Sequence, residues 1–144
     1  MQLREILRIK GDRLITIAPE DMVSDGVSVM SQKDIGSLVV ISQGKLAGML
    51  TFREVLQALH ENKGSIQGVR VDAIMVKNPR TIAPSVEVDE LRSVMLEHHI
   101  RYMPVMEGDK LIGVASFHDV ARAVLEEQAF ENRMLKGYIK DSPA

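Results

Sequence analysis

Between residues 81 and 124 the spacing of apolar and polar positions changes character several times. Thr81–Ala83 is a short β-leaning segment stopped by Pro84, which cannot continue a central strand. Val88, Leu91 and Met95 then recur at i, i+3 and i+7, with Asp89 and Glu90 in the first turn, and predict a helix. Two apolar runs, Met103–Met106 and Leu111–Ser116, flank Glu107-Gly108-Asp109-Lys110 and predict a hairpin. A second helix starts after Ser116. The resulting order is β-α-β-β-α. The same order appears upstream: Thr16–Ala18 before Pro19, a helix on Val23, Val27 and Met30, a hairpin of Ser37–Ser42 and Leu46–Thr51, and a helix after Thr51. Gly26 weakens the first of these helices by about 1 kcal/mol relative to Ala.

The likeness is a duplication. A shift of 65 positions aligns Thr16–Leu59 with Thr81–Val124 without a gap, and 16 of the 44 pairs are identical. Chance would supply roughly three. One unit of this size buries too little surface to be secure alone, so the two are expected to pack about a pseudo-twofold axis. Residues 3–60 form the first repeat, 61–70 a polar linker, 71–126 the second repeat, and 127–144 a helical extension and tail. Leu3–Leu7 and Val71–Met75 read as short helical lead-ins, each ahead of its repeat. The last helix is twice as long as its counterpart. It carries Leu125, Ala129, Phe130, Met134 and Leu135 beyond the core stripe of Val120, Ala123 and Val124, an apolar surface to be covered by the chain's own N-terminus or, the favoured reading, by a second subunit. Asp141–Ala144 reads as a frayed tail.

Composition removes several classes of function. The chain has 144 residues, 45% hydrophobic and 26% charged, with a formal charge of −2, so no basic surplus favours nucleic acid. It contains no Cys, which removes disulfides, thiolate metal sites and a cysteine nucleophile. No secretory leader or 18-residue apolar run is apparent, and the expected location is the cytoplasm, with no membrane partner. The adjacent His98 and His99 point to different helix faces, so they do not chelate; they read as solvated surface, and no metal is expected. No catalytic motif or poised nucleophile appears, and the chain is not expected to be an enzyme.

Thr-Ile-Ala-Pro, a helix, a hairpin with Pro104-Val105 in its first strand, then Gly113-Val114-Ala115-Ser116-Phe117-His118-Asp119 together resemble a CBS domain. Two in tandem resemble the CBS pair, or Bateman module, over roughly residues 3–126. The resemblance implies an α/β (α+β) fold and a regulatory module that binds AMP, ADP or ATP, or in some cases NAD or S-adenosylmethionine, between the repeats. It also implies a homodimer and, the module standing alone, control of a separate partner protein. No cofactor is required. The alternative is a dimerising scaffold whose clefts bind nothing.

Carried onto this chain, the resemblance makes Asp119 the acceptor for both ribose hydroxyls; a simpler role is favouring the first helical turn. Ser116 would meet a phosphate, or only cap the helix. Arg101 and His118 are phosphate partners or else solvated surface residues, Thr81 and Ile82 line the base pocket, and the Met103 backbone ahead of Pro104 contacts the base. Tyr102 stacks on the base if it points inward. The repeat 1 set (Thr16, Ile17, Ser37, Thr51, Arg53 and Glu54) departs from this pattern. Glu54 replaces the Asp, and Gly36-Ser37 stands where repeat 2 has Arg101-Tyr102. Its site is expected to be weaker, selective for a different ligand, or empty.

Overall fold

The computed structural model describes residues 1–11 and 14–141, with side chains to residue 137. Repeat 1 folds as β1 (Thr16–Ile17), α2 (Val23–Lys33), β2 (Ser37–Ser42), β3 (Lys45–Thr51) and α3 (Phe52–Glu61), preceded by α1 (Leu3–Lys10). Repeat 2 folds as α4 (Val71–Ile74), β4 (Val76–Lys77), α5 (Val88–Glu97), β5 (Tyr102–Glu107), β6 (Lys110–Ser116) and α6 (Phe117–Asp141). The tandem α/β architecture therefore stands. So does the long last helix, which passes through Gly137; residues 142–144 of the predicted tail lie outside the described residues.

Both hairpins turn on left-handed residues, Gln43 and Gly44 in repeat 1 and Gly108 in repeat 2, and each carries one register shift at a matched place, Val40/Ile41 and Val105/Met106. The predicted first strands differ. In repeat 1, β1 pairs in parallel with β2, and the Val39 N–H donates to the Ile15 carbonyl at 3.2 Å. The equivalent of Val39 in repeat 2 is Pro104, which has no N–H to give, and pairing shrinks to a single bridge, Ile82 with Val105. Gly26, rather than a defect, is a core position: a Cβ there would lie 3.1 Å from Leu50 and 3.3 Å from Ile17, where repeat 2 buries Leu91 completely.

The lead-in helices are exchanged. α1 precedes repeat 1 yet packs on repeat 2, with Leu3 and Ile6 buried among Val88, Leu91, Met95 and Val120. The Leu3 N–H donates to the Val86 carbonyl at 2.9 Å. Conversely Val71 of α4 is buried with Val23, Leu38 and Leu50 of repeat 1, and its N–H donates to the Asp21 carbonyl at 2.8 Å. β4 then joins the edge of β3, completing a four-stranded sheet in the order β1-β2-β3-β4. The paired glycines of the duplication make room for this exchange. A Cβ on Gly48 would sit 2.6 Å from the Val76 carbonyl oxygen, and one on Gly113 would sit 3.0 Å from Leu7.

Candidate functional site

A cleft of about 800 Å³ opens along the seam between the repeats, within the size range of small-molecule sites. One wall is the start of α3, with Thr51, Arg53 and Glu54; the other runs from Arg80 to the segment after α5, with His98, His99, Arg101 and Tyr102. It does not follow the grouping of site residues by repeat. Facing copies related by a pseudo-twofold axis juxtapose the helix start of one with the first hairpin strand of the other. Thr51, Arg53 and Glu54 therefore share a cleft with Arg101 and Tyr102, whereas Ser116, His118 and Asp119 are not among its lining residues.

Local structure fixes each side chain. Thr51 caps α3, and the Glu54 carboxylate reaches back to accept from the Thr51 N–H and hydroxyl, both at 2.8 Å. Tyr102 crosses the seam, and a Cβ at Gly36 would collide with its hydroxyl, so repeat 1 needs glycine there. Its ring meets Phe52 edge-on at 6.3 Å, and the Arg101 guanidinium lies 5.1 Å from the centre of the Phe52 ring. Burial pushes the Tyr102 phenol up, against a smaller opposite pull from Arg101. Arg53, Arg80 and Arg101 have no carboxylate partner among the described residues. Pro79 and Arg80, just ahead of the residues where Pro104 shortens the pairing, line the cleft. Sequence spacing did not single out Arg80, and the exposed His98 and His99, read as plain surface, sit on the same wall; the missing amide of Pro104 was the available signal.

The other predicted residues fall elsewhere. The Asp119 N–H donates to the Ser116 hydroxyl at 3.1 Å, so Ser116 caps α6. The Asp119 carboxylate is bound by the Lys10 ammonium at 2.8 Å. Burial by itself raises its pKa, but Lys10 and Ser116 together bring it below the ordinary aspartate value. His118 is exposed, 3.8 Å from the same carboxylate. Thr81 is exposed beside half-buried Ile82, which packs against the repeat 2 core, and Met103 and Pro104 are buried. Thr16 is exposed, Ile17 faces the repeat 1 core and Ser37 is half-buried opposite Thr51. Among the described residues no cluster of acidic, His or Cys side chains is placed to hold a metal, and no helix is long and apolar enough to cross a membrane.

Comparison with known proteins adds four findings. The CBS domain profile matches residues 4–61 and 71–126. The mitochondrial CBS domain-containing protein CBSX3 of Arabidopsis thaliana is 33% identical over 126 residues, covering 84% of this chain, which spans 61% of that protein's length. A putative signal-transduction protein with CBS domains from Burkholderia ambifaria superposes with a TM-score of 0.83 at 32% identity, covering 89% of this chain and 96% of that one. CBSX2, solved in complex with AMP, shares the fold at a TM-score of 0.74 and 23% identity, over 88% of this chain and 98% of that chain.

Proposed function

This chain belongs to the CBS-domain family, whose paired domains are regulatory modules, and on that premise we propose that it senses an adenosine-containing phosphate in the seam cleft and thereby controls a separate partner protein. The observation that carries this reading is the cleft itself, where three guanidinium groups without acidic partners among the described residues line the same space as Phe52, Tyr102 and the capped start of α3. Arginine forks suit phosphate oxygens, and aromatic and apolar surface suits a base. The AMP bound to the related CBSX2 supports the same ligand class. Asp119 and Ser116 form a second, pseudo-symmetric seat for the ribose and phosphate of another ligand. The bound ligand acts only through its difference in affinity between two arrangements of the module.

A thermal-shift series with AMP, ADP, ATP, NAD and S-adenosylmethionine tests this. A ligand at 100 times its Kd adds about 2.7 kcal/mol, a rise of several degrees in Tm. Arg101→Ala is expected to weaken binding by about tenfold or more, as the loss of a charge-assisted contact. No shift with any of the five compounds would favour the second reading, a dimerising scaffold. That reading has its own observation: Phe130, Met134 and Leu135 of α6 are each more than half exposed.

A further inference from the structure

The duplication makes the two ends of the seam comparable residue by residue. Glu54 and Asp119 are the same position, 65 residues apart. Glu54 is held by its own helix cap, through Thr51, and lines an open cleft. Asp119 is held by a residue from another element, Lys10 in the last turn of α1. The Lys10 ammonium also donates to the Val114 carbonyl of β6 at 3.2 Å, so the side chain lies across the end of that strand and the start of α6. Nor is α1 free to carry Lys10 away. Leu3 and Ile6 are buried in repeat 2, Leu7 packs against Gly113, and Arg4 pairs with Glu107 at 3.1 Å. The position equivalent to Lys10 ahead of repeat 2 is Met75, which carries no charge and packs beside Gly48.

We infer that Lys10 is an internal strap over the Asp119 seat, which makes the two pseudo-symmetric seats unequal and gives the Glu54 cleft first claim on ligand. This rests on the proposed binding of adenosine phosphates. A ribose that grips both oxygens of Asp119 has to compete with the ammonium for Oδ2. The pair is partly exposed, Lys10 at 41% and Asp119 at 23%, so the strap lowers affinity at that seat by a modest factor and does not seal it.

Isothermal titration of AMP and of ATP into wild type, Lys10→Met and Lys10→Arg tests the inference, with Tm confirming that each variant is folded. The expected result is a second binding step that tightens by about three- to tenfold in Lys10→Met and stays as in wild type in Lys10→Arg. An unchanged or weakened second step in Lys10→Met overturns the strap while leaving the cleft as a nucleotide site. Binding seen only in Lys10→Met keeps the strap and removes the Glu54 cleft. Absence of binding in all three proteins overturns both.

Discussion

The acid at the head of each long helix shows how one residue position acquires two different physical lives. Glu54 reaches its own Thr51 amide and hydroxyl because the extra methylene lets it fold back. Asp119 instead accepts from Lys10, and its pKa lies below the ordinary aspartate value. A carboxyl more acidic in the folded than in the unfolded state contributes stability that is fully present above its unfolded pKa, about 3.9, and is lost as pH falls through the folded value. Wild type is therefore expected to be more stable than Asp119→Asn at neutral pH. The gap should close as the pH drops below about 4, read from urea midpoints across that range. A gap independent of pH would mean that the charge on Asp119 contributes nothing. Glu54→Ala is expected to cost about 0.5–2 kcal/mol by opening the capping box, measurable in the same denaturation series with no ligand present.

At the scale of elements, both hairpins and the helices α2, α3, α5 and α6 were legible because each has its own period and its own turn chemistry. What the pattern hides is partnership. Leu3 and Ile6, or Val71, present the same apolar spacing whichever repeat they pack on, and nearness in sequence points to the wrong one. The glycines give the exchange a test. At Gly48 an added Cβ meets backbone, the Val76 carbonyl, while at Gly113 it meets the flexible tip of Leu7. Gly48→Ala is therefore expected to cost about 1–3 kcal/mol by displacing β4, and Gly113→Ala distinctly less. Equal losses in thermal unfolding would show that neither lead-in is held where the contacts place it. The short first strand of repeat 2 was also beyond reach of local propensity, since Pro104, twenty-two residues downstream of Ile82, decides it.

For the whole molecule, the exchange means that each core is incomplete without chain from the other repeat's side of the sequence. The site follows the same logic. Its residue types were legible in the sequence, but their grouping was not, because the cleft is made by two facing copies and Arg80, His98 and His99 enter it only through that pairing. A core completed from outside its own repeat also sets how the protein unfolds. Leu3 is fully buried in the repeat 2 core, and α1 joins that core to β1 of repeat 1 through a short connection. Leu3→Ala removes buried volume at a cost of about 2–5 kcal/mol. If the exchanged helices couple the repeats, that loss appears as one cooperative transition, with amides of β2–β3 and of β5–β6 losing hydrogen-exchange protection by the same free energy. Two transitions, with only the β5–β6 amides affected, would mean that the repeats unfold independently and that the exchanged helices are dispensable staples.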